Sequence, residues 1–296
     1  MNYRKDMEKS IDFIEVNLGN RLTAAMIADY VGYSLYHYCR IFLACYGVPV
    51  MEYVRKRRLS LAALDLDQGA KVIDIALKYG FETASGFSKA FRREYNCSPT
   101  QYSAGMWAVD LSAGKDLANA KKESLLSNVR FETKESFKIA GYAIKTNISD
   151  ASSTKDVAAL WEKFDTAGWE SKLYEQLNPL KHGEVGIFIP GKGDQVSYVL
   201  GVIVDNFEQV TEDMVCLEIP ETKYAVFTTL PVNMQVKEED FAIAIKSTWK
   251  AIFEEWFQEN YEYDQSRLDF EFYDERCHLR TDSVMEIYIP IKQKCH

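Results

Sequence analysis

The sequence predicts a multidomain fold: an all-α tandem helix–turn–helix domain followed by an α+β domain with duplicated strand-helix-strand-strand units. Three observations carry this expectation. Up to about residue 105 the apolar residues recur at helical spacing. Beyond residue 128, short β-branched and aromatic runs (EVGIFIP, SYVLGVIVD, VMEIYIPIK) alternate with amphipathic stretches such as DVAALWEKFDTAG. Each half also repeats itself. The domains are placed at 1–108 and 128–296, with 109–127 as a linker that holds most of the small, polar run SAGKDLANAKKESLLSN.

In the first half, Ile11, Ile14 and Leu18 form one helical stripe, and Gly19 and Asn20 end it. Thr23 is placed to cap the next helix, which carries Met26, Ile27 and Val31. Ile27-Ala28 and Gly32-Tyr33 then match Ile75-Ala76 and Gly80-Phe81 at an offset of 48. Phe42 matches Phe91 at 49, and Pro49 matches Pro99 at 50. Each copy reads as a helix, a turn entered through glycine, a second helix, and a proline-marked start of the next. That is helix–turn–helix order, although two helical hairpins also fit an ordinary bundle.

Surface chemistry separates the two readings. The helix over about Ala84–Tyr95 buries Phe87, Phe91 and Tyr95 and offers Ser85, Ser88, Lys89, Arg92 and Arg93 on its other faces. Those are hydrogen-bonding groups and cations suited to bases and phosphates. In the other copy, Leu35–Tyr46 packs Ile41 and Phe42 and leaves Tyr36, His37 and Arg40 free to face outward. Between them PVMEYVRKRRLSLAALDLDQ predicts a helix of about 20 residues, roughly 30 Å long, close to the 34 Å of one DNA turn.

GFETASGFSKAFRREYNCSPTQYS and the upstream IADYVGYSLYHYCRIF resemble the signature of the AraC/XylS transcription regulators over about residues 7–105. The resemblance implies two recognition helices in successive major grooves of double-stranded DNA, and it allows RNA polymerase as a further partner. By position it implies base-facing Tyr36, Cys39 and Arg40 on the first helix, and Ala84, Ser85, Ser88 and Lys89 on the second. Arg40 is the expected guanine reader, and Arg92 and Arg93 are expected on phosphates. Cys39 also has a redox-sensor reading, with Cys45 the nearest second thiol in sequence.

The second half runs strand, helix, strand, strand twice: 128–146, 154–166, 184–190 and 196–204, then 214–230, 238–260, 267–273 and 284–292. Period two along the last strand puts Met285, Ile287 and Ile289 on one face and Glu286 and Tyr288 on the other. The duplicated pattern, KYAVFTTL and EIYIPIK resemble gyrase-inhibitor-like effector-binding domains. That resemblance implies a small-molecule pocket with Glu286 as its central acid. Aromatic walls from Trp161, Tyr198, Tyr273 and Tyr288 would suit a cationic or amphipathic effector, while core packing is the alternative use of the same rings. Some relatives of this type resemble hydrolases, so a ligand-binding or weakly hydrolytic protein whose basic helices contact a partner stands as the rival reading.

Charge and composition narrow the classes. The net charge of -9 divides into +2 over residues 1–110 and -11 over 111–296, so the two halves differ in electrostatic character. Six scattered cysteines without a C-x-x-C pair, and four histidines without finger spacing, predict neither disulfides nor a metal site. No catalytic triad or phosphate-binding loop is legible, and no cofactor is expected. The N-terminus lacks a signal-type apolar run, and no run spans a bilayer, so a cytoplasmic, membrane-independent protein is expected.

Overall fold

The computed structural model describes residues 2–102, 126, 129–179, 181–235, 239–258, 261–279 and 281–294, so the expected linker lies outside it apart from Leu126. The chain separates into two compact units, one running from Lys5 through the helical repeats and the other holding all the strands described below. Among the described residues, no helix is long and apolar enough to cross a membrane.

The helical unit contains α1 (Tyr3–Val16), α2 (Ala24–Val31), α3 (Leu35–Tyr46), α4 (Val50–Asp67), α5 (Val72–Lys78) and α6 (Ala84–Tyr95). Their ends follow from side-chain capping. Thr23 accepts from the Met26 amide, Ser34 from His37 and Thr83 from Gly86, each satisfying a first-turn N–H that has no intrahelical partner. Gly32 at φ 80° closes α2, and Gly80 at φ 72° turns the chain after α5. Helices α3 and α6 are both 12 residues long and end on left-handed Gly47 and Asn96. Their caps, Ser34 and Thr83, lie 49 residues apart, so the two helices correspond residue by residue.

Helix α4, 18 residues and so about 27 Å long, serves both repeats. Its Leu59, Ala62 and Ala63 join Ile75, Ala76, Phe87 and Phe91 in the core of the second repeat. Its basic run, Arg55-Lys56-Arg57-Arg58, is largely engaged within the unit. Arg55 bonds Glu52 and Glu94, and Arg57 makes a two-pronged contact with Glu15 at 2.7 and 2.8 Å. Arg58 donates to the Leu18 and Asn20 carbonyls at the end of α1. A Cβ on Gly80 would stand 3.1 Å from that guanidinium, so glycine there lets the second repeat close over Arg58.

The second unit is a single antiparallel sheet with helices. Its elements are β1 (Val129–Lys134), β2 (Phe137–Asn147), α7 (Ser152–Thr166), α8 (Trp169–Leu177), β3 (Glu184–Pro190), β4 (Gln195–Val204), β5 (Val215–Ile219), β6 (Thr222–Thr228), α9 (Glu239–Glu254), β7 (Tyr261–Tyr263), β8 (Phe270–Tyr273) and β9 (Glu286–Gln293). The duplication is present, with each expected leading strand split in two and with α8 and β7 added. Both additions are short segments whose apolar pattern merges with the longer elements beside them. The sheet order β1-β6-β9-β8-β3-β4-β2-β5 reads as two mirrored halves joined at the β3–β8 ladder, with β7 pairing onto β9. Each outermost strand belongs by sequence to the other half.

The two sheet faces have separate cores. Tyr142, Leu160, Phe164, Leu173, Tyr198 and Leu200 pack where α7 and α8 cover the sheet. Val185, Ile187, Val226, Phe270 and Tyr288 pack on the opposite face. Alternation along each strand assigns its residues to one face or the other.

Candidate functional site

On α6, Phe87 and Phe91 are fully buried. Residues three, four and seven apart share a helix face, so Ser85, Ser88, Lys89 and Arg92 line the opposite side. Ser85, Lys89 and Arg92 are exposed, while Ser88 and Ala84 are half-buried. Among the described residues, Lys89 and Arg92 form no salt bridge, and both remain available to an outside anion. Arg93 stands 3.9 Å from Glu52, so part of its charge is balanced within the unit.

On α3 the equivalent face carries Tyr36, Arg40 and Leu43, all half-buried. Two expectations are corrected here. Cys39 is 0% exposed and cannot meet a base; three residues from buried Phe42, it lies only about 60° round the helix from that core position. The same burial removes the thiol from solvent oxidants and from the redox-sensor reading. His37, expected outward, is also buried, with its ring 5.5 Å from that of Tyr33. Burial first, then the neighbouring Arg40 charge, pull its pKa down to about 3, so it is neutral at pH 7.

In the second unit the five expected effector residues divide between the two faces. Glu286 and Tyr288 lie away from the α7 face, and the Glu286 carboxylate is already neutralised. Arg130 donates to both of its oxygens at 2.7 Å, and Arg276 adds a third bond at 2.7 Å. The Tyr288 hydroxyl accepts from Arg130 at 3.0 Å and donates to Glu286 at 3.2 Å. Burial alone would raise the carboxyl, but the bonds and charges of Arg130 and Arg276 outweigh it and hold the pKa low. Glu286 is therefore not the open, unpaired acid expected at the centre of a pocket, because two arginines already occupy its oxygens.

Trp161, Tyr198 and Tyr273 do converge, and they do so with an acid that sequence reasoning missed, Glu271. Trp249 Nε1 donates to one Glu271 oxygen at 2.8 Å, and the Tyr273 hydroxyl donates to the other at 3.0 Å. Trp161 Nε1 donates to the Tyr198 hydroxyl at 3.1 Å, and the Trp161 and Tyr273 rings pack edge to face at 4.7 Å. Phe188 packs on Tyr198 at 4.7 Å. Gly186 of β3 pairs directly with Glu271 of β8. A Cβ at Gly186 would fall 2.4 Å from the Tyr198 hydroxyl, so only glycine leaves room for these groups over the ladder. Among the described residues, no lysine or arginine pairs with Glu271. Period two along FEFY, which puts Glu271 beside Tyr273 on one face, was the available signal.

A second polar cluster lies at the start of β3. Glu184 is 3% exposed and accepts from the Tyr174 hydroxyl at 2.6 Å. Burial raises its carboxyl pKa. His182 Nε2 lies 3.9 Å from Glu170 and 4.0 Å from Glu184, and its ring stacks on Tyr174 at 4.9 Å. His278, from the short turn Glu275–His278, meets the His182 ring at 5.1 Å.

Comparison with known proteins fits both units. Residues 130–291 match the family described as integron-associated effector binding protein. Residues 27–105 match a helix-turn-helix domain family. The HTH-type transcriptional activator AarP of Providencia stuartii is 43% identical over 91 residues, which cover 30% of this chain and 67% of AarP. The HTH-type transcriptional regulator YbfP of Bacillus subtilis (strain 168) is 36% identical over 103 residues, 34% of this chain and 35% of that protein. The regulatory protein SoxS of Salmonella typhimurium is 31% identical over 103 residues, 34% of this chain and 96% of SoxS. This chain thus spans about a third of YbfP, about two thirds of AarP and nearly all of SoxS. AarP is named as a transcriptional activator and SoxS as a regulatory protein. The chain belongs to the integron-associated effector-binding family through residues 130–291, and residues 27–105 form an AraC-type helix–turn–helix domain.

Proposed function

We propose that this protein reads DNA with α3 and α6 in successive major grooves and that an organic cation seated at Glu271 controls the outcome. Two helices with equivalent caps, equal length and residue-by-residue correspondence support the first part. Tyr36, Arg40, Ser85, Ser88 and Lys89 take the base edges, with Arg40 on guanine, and the Ala84 methyl meets a thymine methyl. Arg92, and Arg93 more weakly, hold phosphates. Acting on chromosomal DNA places the protein in the cytoplasm, and RNA polymerase is the partner through which bound regulator would act.

The observation that carries the effector reading is the Glu271 carboxylate, held by two neutral donors amid aromatic rings with no paired cation among the described residues. A half-buried anion in such a cradle gains from a cation that also stacks on the rings. An effector that binds one arrangement of the two units better shifts the population toward it, and DNA occupancy follows. Fluorescence titration with a cationic aromatic dye tests the site. Glu271→Gln should weaken binding at least tenfold while an uncharged analogue of the dye binds both proteins alike. Equal dye affinity in the variant would remove Glu271 from the site.

A further inference from the structure

The cluster at the start of β3 has a composition that effector recognition does not use. Glu170 in the first turn of α8, His182 just ahead of β3 and His278 in the turn after β8 bring one carboxylate and two imidazoles together from three elements. One donor atom from each lies within 4.8 Å of the others. Glu184 adds a fourth donor 4.0 Å from His182 Nε2.

We infer that Glu170, His182 and His278 form a binding site for a divalent transition ion, best matched by zinc, with Glu184 beside it as a fourth ligand or as the acceptor of a bound water's hydrogen bond. Two imidazoles and a carboxylate are a borderline-soft donor set that suits zinc and poorly suits calcium or magnesium. Two donors about 2.1 Å from a tetrahedral ion stand about 3.4 Å apart, so the 3.9 Å between His182 and Glu170 needs only a small closure. The His182 ring is already oriented. It stacks on Tyr174 at an interplanar angle of 14°, and the Tyr174 hydroxyl is fixed by donating to Glu184 and accepting from the Gly183 amide. His182 Nδ1 is buried with no hydrogen-bond partner, while Nε2 faces the two carboxylates. The stacking on Tyr174 holds the ring in place, although Nδ1 lacks the outer hydrogen-bond acceptor that a ligating imidazole ordinarily has. A bound ion would clip α8, the lead into β3 and the turn after β8 together. No sequence motif announces the site, because its ligands lie 12 and 96 residues apart along the chain.

The test uses the full chain stripped with EDTA and dialysed, then titrated with zinc chloride by calorimetry and with cobalt chloride by visible absorption. One equivalent of zinc should bind with micromolar or better affinity, and cobalt should give the intense visible bands of a four- or five-coordinate site. His278 is exposed, so His278→Ala keeps the fold and should weaken zinc at least tenfold; Glu170→Gln should do the same. Glu271→Gln should leave zinc uptake unchanged, which separates this site from the cation cradle. No uptake at about 100 µM zinc, well above the affinity of a working site, would overturn the inference. So would uptake that survives both His278→Ala and Glu170→Gln.

Discussion

Gly186 and Glu271 face each other across the β3–β8 ladder, and the hydrogen in place of a side chain on Gly186 leaves the space in which the Tyr198 hydroxyl stands. The joint between the two halves of the sheet thereby becomes a place for polar and aromatic groups, where a packed pair of side chains would have filled it. Gly186→Ala should push Tyr198 aside and cost about 1–3 kcal/mol of stability, the usual penalty for overpacking. Dye affinity should fall at the same time, because Tyr198 carries the bond from Trp161. Thermal denaturation and dye titration on one preparation check both effects; an unchanged dye affinity would place the ligand elsewhere.

Glu286 and Glu271 should respond differently to charge removal. Glu286→Gln strips the shared anion from Arg130 and Arg276 and should destabilise the sheet unit by about 2 kcal/mol, less than for a fully desolvated pair because both arginines are partly exposed. Its folded pKa is depressed, so the stability it contributes is present above its unfolded pKa and is lost as pH falls through the lower folded value. Acid unfolding should therefore begin at higher pH in the variant. Glu271→Gln should leave stability nearly unchanged. Urea denaturation from pH 7 to pH 3 distinguishes the two.

His37 makes the helical unit acid-sensitive in a higher window. Its folded pKa of about 3 lies below the ordinary 6.5, so the unfolded chain takes up the proton first and stability falls as pH drops below 6.5. The slope is about 1.4 kcal/mol per pH unit, or about 2 kcal/mol between pH 6.5 and pH 5. Hydrogen exchange of the α3 amides, corrected for intrinsic rates, should report that loss. In His37→Leu the pH dependence should flatten, and a profile as steep as the parent's would remove His37 as its source.

Arg40 and Arg92 are expected to differ in kind. Arg40→Ala should lower discrimination between the operator and a site mutated at one guanine, by about 1–3 kcal/mol. Arg92→Ala should weaken every DNA alike and reduce the slope of log affinity against log salt by about one. Fluorescence anisotropy at several salt concentrations measures both. Cys39→Ser should alter stability without altering base preference, since the thiol is 0% exposed.

The helical repeats were legible because capping and apolar spacing are local. Thr23 announces one helix start, the repeat of Ile27-Ala28 and Gly32 at Ile75-Ala76 and Gly80 pairs the two units, and glycine marks the turns. Burial of Cys39 was not legible. Periodicity assigns a face but does not tell what neighbouring helix covers its margin. In the second unit Trp161, Tyr198 and Tyr273 could be read as ligand walls from residue type alone. The choice of acid could not be made in the same way. Glu286 and Glu271 both sit beside aromatics on short strands, and what distinguishes them is Arg130, which reaches Glu286 from 156 residues away. The His182–His278 cluster was hidden for the same reason, being assembled by strand order alone.

The exchange of outer strands has a consequence for how the protein is made. β1 pairs with β6, and β5 with β2, so the first half of the sheet unit leaves the ribosome with one strand lacking its mate. Counted from the end of β1, about 90 residues must be synthesised before that mate is complete, roughly 5–20 s at ordinary rates of translation. During that interval β1 is an open edge, and its alternating Arg130, Glu132 and Lys134 are the kind of charged fringe that keeps an open edge from pairing with the wrong chain. Arg130, part of that fringe while β1 is open, later closes over Glu286.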